Sequence, residues 1–273
     1  MGAWLDLITA SPTPCLWLDD TAYTSRLLAG TRAPWLDAAE AVAWRRKAQA
    51  LLRPDVVELD VSPLMSAWIA AHPSLRECMR AKRRMTAPLR ILLADEALRQ
   101  HVAEILMGLR ASNSGPLAMR IPSPPHWILQ VYQAVFGDRP KPGADEAESA
   151  SLYVADFLRA FSEAGMDVLL IDEVSATTFA APGQTSWRQS VINIARHYRW
   201  DVGLRAAYEI DFNRSGLDFF IAPRGMRAME ISASFWETGD VPSITPGSFR
   251  FTSIPEDAQP EQVLERLAAL RST

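Results

Sequence analysis

The stretch Met166-Asp-Val-Leu-Leu-Ile-Asp172-Glu173 decides the fold class of this chain of 273 residues. Four consecutive apolar residues, 168–171, end in two adjacent carboxylates. An unbroken apolar run of this length is typical of a strand buried on both faces of a parallel sheet, because an exposed face would require alternating polar residues. The carboxylates then lie at the carboxyl end of the strand, where functional residues of α/β folds gather.

Similar short apolar runs recur along the chain, and amphipathic stretches separate most of them. The predicted strands span residues 15–19, 56–61, 89–93, 117–121, 168–172, 201–205, 217–221 and 248–252. Strands that alternate with helices form parallel sheets with right-handed crossovers. Eight such units predict class α/β and a (β/α)8 TIM-type barrel that spans residues 1–273 as a single domain. A doubly wound open sheet is the alternative, although no Gly-x-Gly-x-x-Gly motif follows the first strand.

Capping residues mark the helices between these strands. Asp37 and Asp95 are predicted N-caps of helices over 37–52 and 95–109, and the Pro124-Pro125 pair suits the first turn of a helix reaching residue 136. Further helices are predicted over 146–164, 186–198 and 260–270. The Pro-rich segment 138–143 is the best linker candidate, and we expect it to join two halves of one barrel.

Composition restricts the classes of partner. A net charge of -4 gives no reason to expect nucleic acid. No apolar run approaches the roughly 20 residues that cross a bilayer, and the N-terminus lacks the basic stretch of a secretory signal. Cys15 and Cys78 stand apart from each other and from any metal-ligand pattern, which favours a reducing, cytoplasmic location. Assembly into a homo-oligomer stays open.

Three segments resemble the C-terminal catalytic barrel of the cobalamin-independent methionine synthase family. Arg-Ile-Pro-Ser-Pro-Pro at 120–125 is similar to a strand-end loop of that family, and Leu-Ile-Asp-Glu at 170–173, followed by Trp187, is similar to its Asp-Glu strand. Ile-Thr-Pro-Gly at 244–247 resembles a late Gly-Pro-Gly segment before the last strand and helix. The resemblance implies a barrel of the superfamily that also includes uroporphyrinogen decarboxylase.

The zinc ligands of that family are missing at the matching positions. Arg205-Ala206-Ala207 stands where the family has a His-x-Cys pair, and Ala222 stands where it has a glutamate. The family's last cysteine lies in a C-terminal extension beyond the position that matches Thr273. Zinc requires thiolate, imidazole or carboxylate ligands and activates a substrate thiol. The resemblance therefore implies a relative that has lost zinc and the parent reaction, and we expect neither metal nor cofactor.

The strand-end rule for barrels nominates the candidate site residues. These are Asp19, Asp60, Arg120, Ser123, Asp172, Glu173, Arg205 and Arg224. Arginine pairs bidentately with carboxylate, so Arg120 and Arg205 predict a clamp for a small anionic molecule, beside Asp172 and Glu173 for proton transfer. The alternative interpretation is that these charges pair with one another and only satisfy a polar rim.

Loop residues near the same rim extend this set. His126 follows Ser-Pro-Pro and is the best histidine for acid/base catalysis, although a surface position at a helix start is the slightly favoured interpretation. Trp127 and Tyr208 are positioned to stack on a flat ligand.

The favoured hypothesis is a metal-independent enzyme that acts on a small carboxylate-bearing molecule by acid/base chemistry of the lyase or decarboxylase type. Two alternatives remain open: a methyltransferase that uses a folate or corrinoid methyl donor, and a non-catalytic binding relative.

Overall fold

A computed structural model describes residues 3–10, 13–30, 33–173, 188–208 and 215–272. Eight parallel strands form a nearly closed barrel with helices between them, which confirms the predicted (β/α)8 fold class. The strands are β1 Leu16–Asp19, β2 Val57–Asp60, β3 Leu117–Pro122, β4 Val168–Asp172, β5 Asp201–Arg205, β6 Phe219–Ala222, β7 Arg227–Glu230 and β8 Phe249–Ser253. Trp187, part of the resemblance above, lies outside the described residues.

The helices are distributed unevenly around the barrel. They are α1 Ala3–Ala10, α2 Thr21–Ala29, α3 Ala38–Leu52, α4 Val61–Ala71, α5 Pro73–Arg80, α6 Ala87–Leu93, α7 Glu96–Ser112, α8 Pro124–Phe136, α9 Ala144–Arg159, α10 Arg188–His197, α11 Phe235–Thr238 and α12 Pro260–Arg271. Four of them separate β2 from β3. The predicted N-caps are present: Asp37 accepts a hydrogen bond from the Glu40 amide, and Asp95 from the Ala97 amide. None of the described helices is long and apolar enough to cross a membrane.

The strand order is β1-β8-β7-β6-β5-β4-β3-β2, so β1 and β2 are the two ends of the sheet. Asp55, just before β2, bridges the gap between these two strands. Its amide donates to the Leu16 carbonyl at 3.0 Å, and its carboxylate accepts from the Leu16 amide at 2.7 Å. Asp55 thereby provides hydrogen-bond partners for both the amide and the carbonyl of Leu16, as a neighbouring strand would otherwise do.

Aromatic residues fill the amino-terminal half of the barrel interior. Helix α1 directs Trp4 against the rings of Trp17, Phe219 and Phe249, with centroid separations of 5.7, 5.5 and 5.4 Å. The Leu5 amide of the same helix lies 3.3 Å from a carboxylate oxygen at the start of β5. The interior is therefore apolar and packed at this end, and polar groups gather at the other.

Two strand assignments differ from the sequence prediction. Residues 89–93, predicted as a strand, belong to helix α6, which packs on α8 and α9. The sequence there is apolar enough for either element, and Pro88 suits the first turn of a helix. Strand β7 was not predicted, because Arg-Ala-Met-Glu lacks an apolar run. Because one predicted strand is absent and one unpredicted strand is present, the predicted number of strands, eight, is still correct.

A short turn replaces the crossover between β6 and β7. Parallel neighbours normally require a dozen or more connecting residues, but residues 223–226 alone join these strands. The Gly225 amide donates to the Ala222 carbonyl at 3.0 Å, and a Cβ on Gly225 would lie 2.1 Å from the Phe220 carbonyl oxygen. The turn therefore requires glycine at this position.

Candidate functional site

Seven of the eight strands place one polar side chain each in a connected group at the carboxyl-terminal mouth. We call this group the rim ring: Asp19, Asp60, Arg120, Asp172, Arg205, Glu230 and Ser253. It arises from the two-residue period of strands, which directs alternate side chains into the barrel. Sequence-distant residues thus converge, as barrel active sites require.

Arg120 is the centre of one half of the ring, with its side chain 6% exposed. Its two terminal nitrogens each donate to a different oxygen of Asp19 at 2.7 Å. One of them also donates to Asp60 at 2.8 Å, and the Nε atom lies 3.2 Å from Glu58 Oε1. Three carboxylates therefore surround one guanidinium closely, and that of Asp172 lies farther away at 3.6 Å.

Arg205 organises the other half. Its Nε donates to Glu230 at 3.0 Å and its Nη2 to Ser253 Oγ at 3.1 Å, while Nη1 lies 3.4 Å from Asp172. The guanidinium also stacks over the Phe251 ring, 4.6 Å from its centroid. These contacts hold the cation from both its edge and its face.

The rim ring borders a cavity of about 250 Å³. Its lining consists of Asp19, Asp60, Ser62, Arg120, Pro122, His126, Gln130, Asp172 and Arg205. This volume suits a small molecule. A depression of about 560 Å³ lies beside α2, α3 and α4, with Trp35, Asp37 and Glu40 in its lining. We place the site in the smaller cavity, because the buried charges converge there.

Carboxylates outnumber guanidiniums in and below the ring. Burial acts to raise the pKa of Asp19, but the charges of Arg120 and Arg205 hold it at about 2. Burial, with Asp19 adding to the effect, raises the pKa of Glu58 to about 8 and raises that of Asp60, both against the opposing effect of Arg120. The cavity therefore remains negative while Glu58 holds a proton.

His126 lies in the buried first turn of α8 and lines the cavity. Burial lowers the pKa of its imidazole, and the charge of Asp172 opposes this shift only in part. The Gln130 amide nitrogen lies 2.9 Å from His126 Nε2, and an amide in this orientation donates to a neutral ring. In this form Nε2 is the basic atom of the ring, and it can take a substrate proton once the Gln130 hydrogen bond is released.

Glu173 belongs to a separate cluster behind the strand end. Its carboxylate pairs with Arg188 at 3.0 Å and accepts a hydrogen bond from the Tyr208 hydroxyl. Burial, reinforced by Glu173, raises the pKa of Tyr208. Neither Glu173 nor Tyr208 is among the residues that line the cavity.

The remaining predicted residues also lie away from the cavity. Ser123 is fully buried, and its amide donates to the Asp172 carbonyl at 3.0 Å. Trp127 is a core residue that meets Phe157 edge to face at 5.8 Å, so it is not positioned to stack on a ligand. Arg224 is exposed in the turn between β6 and β7. The cavity thus unites Asp19, Asp60, Arg120, Asp172, Arg205 and His126 from the predicted set.

Several residues of the site were not nominated from the sequence. Glu58 precedes Asp60 by two positions, so strand periodicity was a signal that the two share a face. Glu230 lies on the unpredicted strand β7, and Ser62, Gln130 and Ser253 carried no distinguishing pattern. Within the described residues, no group of three or more His, Cys, Asp and Glu has the arrangement of a metal site.

Comparison with known proteins supports the fold. No family model and no curated protein matches the chain. A methyltransferase from Methanosarcina mazei is similar in structure, with a TM-score of 0.58 and 13% sequence identity, over 98% of this chain and 96% of that one. At this identity the likeness shows the barrel fold alone. The resemblance to the methionine synthase family and the loss of zinc stay predictions.

Proposed function

We propose that the chain is an enzyme that performs acid/base chemistry on a small molecule bound within the rim ring. The supporting observation is the convergence of polar side chains from five strands on one small cavity. Burying charged groups is unfavourable, and replacing a buried ion pair by apolar residues is often neutral or stabilising. A ring of this size is therefore better explained by ligand binding than by stability.

The charge balance modifies the expected ligand. Both guanidiniums are already paired, so an entering carboxylate must displace Asp19 or Asp172 to form a clamp. A group that donates hydrogen bonds or carries positive charge meets carboxylate oxygens instead, and each of these can accept more than one hydrogen bond. We therefore propose a substrate with an amino or similar donating group, in addition to any carboxylate that it carries.

Asp172 and His126 are the proposed acid/base groups. The Asp172 side chain is 22% exposed, more than those of Asp19 and Asp60, which also line the cavity. Asp172 would orient the donating group, and neutral His126 would accept a proton from the substrate. Arg120 and Arg205 would hold the carboxylates in place. Protonated His126 would then return this proton to the leaving group, and this sequence suits a lyase-type bond cleavage.

A metabolite-profiling experiment tests this proposal. Purified wild-type protein, Asp172→Asn and the exposed control Asp257→Asn are each incubated with a desalted small-molecule extract, and mass spectrometry follows which compounds are consumed. We expect at least one compound to be consumed by the wild type and the control, and at least tenfold more slowly by Asp172→Asn, about 1.4 kcal/mol of barrier. Equal rates in all three proteins would contradict the role of Asp172.

Methyl transfer is the second candidate, favoured by the name and the barrel of the structural neighbour. Isothermal titration with methyltetrahydrofolate and with methylcobalamin distinguishes the two hypotheses. Saturable binding of either compound, lost in Asp172→Asn and retained in Asp257→Asn, would favour the methyltransferase. Absence of binding, together with turnover in the profiling experiment, would favour the lyase.

A further inference from the structure

Glu58 lies on β2, two residues before Asp60, and its buried side chain contacts the rim-ring residue Arg120. Its side chain is 2% exposed. The Oε2 atom accepts a hydrogen bond from Trp17 Nε1 at 2.8 Å, and Oε1 lies 3.2 Å from Arg120 Nε. Glu58 thus connects the aromatic interior of the barrel to the guanidinium that holds Asp19 and Asp60.

Three carboxylates, those of Glu58, Asp19 and Asp60, lie within 3.2 Å of the Arg120 guanidinium, and Asp172 lies farther away at 3.6 Å. The charged groups that face Glu58 are Arg120 from β3, Asp19 from β1 and Asp60 from its own strand. Asp19 and Asp60 already bind the two terminal nitrogens of Arg120. Like charges at such distances disfavour full ionisation, so one carboxyl group retains its proton most readily.

The geometry identifies Glu58 as that group. It is the least exposed of the three carboxylates, and its contact with Arg120 is the longest. Among the described residues, its other oxygen accepts a hydrogen bond from the neutral indole of Trp17 and from no other group. Low access to water and weak pairing both stabilise the protonated form.

We propose that Glu58 is a positioning residue that contacts Arg120 and helps to hold its guanidinium in place. Glu58 retains a proton, because the neighbouring carboxylates disfavour its ionisation. The electrostatics agree, because burial raises the pKa of Glu58 to about 8, with Asp19 and Asp60 adding to the rise and Arg120 opposing it. A positive group that enters the cavity would stabilise ionised Glu58, so that binding of a cation releases this proton. The inference concerns the same cavity as the proposed function, but its test requires no turnover.

Trp17 provides a direct spectroscopic reporter. A hydrogen bond to a carboxylate is stronger than one to a neutral carboxyl group, so the indole N–H resonance of Trp17 should move when Glu58 ionises. The chain has nine tryptophans, and the Trp17→Phe variant assigns the signal in a protein with ¹⁵N-labelled tryptophan. We expect the signal to titrate with a midpoint near pH 8. A flat response across that range, or an unchanged titration in Glu58→Gln, would overturn the proposal.

The Asp60→Asn variant tests the coupling while it leaves Glu58 intact. Asn also caps helices, so it can still accept the hydrogen bond that Asp60 receives from the Ser62 amide at the start of α4. Removal of the negative charge should move the midpoint to lower pH by about one unit, a tenfold change in proton affinity. The matched control is Asp37→Asn, an exposed N-cap on α3, which should leave the midpoint unchanged. A midpoint that stays in place in Asp60→Asn would refute the coupling, whether or not the enzyme turns over a substrate.

Discussion

Replacement of Glu58 by glutamine should make the stability of the protein less dependent on pH. The pKa of this carboxyl group is about 8 in the folded protein, compared with an ordinary value of 4.5. The folded state therefore binds more protons than the unfolded state between these values, and the free energy of unfolding falls as pH rises. From about pH 5.5 to about pH 7.5 the contribution of Glu58 amounts to about 2–3 kcal/mol, since each pH unit contributes a little over 1 kcal/mol. Glutamine does not titrate, so the variant should lack this loss.

Urea unfolding at both pH values measures the effect. The quantity to compare is the free energy of unfolding of Glu58→Gln minus that of the wild type. The contributions of the other titrating groups cancel in this difference. It should increase by about 2–3 kcal/mol between the two conditions, equivalent to about 5 °C in melting temperature for a chain of this length. The exposed residue Glu163 provides a control, and Glu163→Gln should give the same difference at both pH values. A difference for Glu58→Gln that changes by less than about 0.5 kcal/mol would refute the assignment of a raised pKa.

Three further predictions concern packing and catalysis. Trp4→Ala removes the aromatic residue that closes the amino-terminal end of the barrel, and chemical denaturation should show a loss of about 3–5 kcal/mol. Gly225→Ala introduces a methyl group 2.1 Å from a carbonyl oxygen and should lower the melting temperature, whereas Gly115→Ala, with its nearest contact at 3.4 Å, should change it little. Once a substrate is known, kcat/KM should fall only at pH values below the ordinary imidazole pKa, because burial lowers the pKa of His126 and the base stays neutral above it. A profile with no acidic limb in the wild type, or one retained in His126→Gln, would contradict the last assignment.

Strand ends were predictable because they depend on local pattern. Asp19 and Asp172 each close an apolar run and Asp60 closes a mostly apolar one, so their place at the barrel mouth follows from sequence alone. Glu230 was not predictable, because β7 has no apolar run and gains its strand conformation from pairing with β6 and β8. Trp127 was assigned to the wrong environment, because the first turn of a helix can direct a side chain either to the rim or to the core.

The sequence by itself determined the architecture and the end of the barrel at which polar groups gather. Tertiary structure alone decided how those groups pair. Arg120 meets Asp19 across 101 positions and Asp60 across 60, and no local pattern specifies those contacts. Interaction between charges depends on their separation and on their burial, and closure of the barrel sets both. The arginines that the sequence suggested as clamps for an anion are therefore, in the folded protein, the counter-charges of a ring of carboxylates.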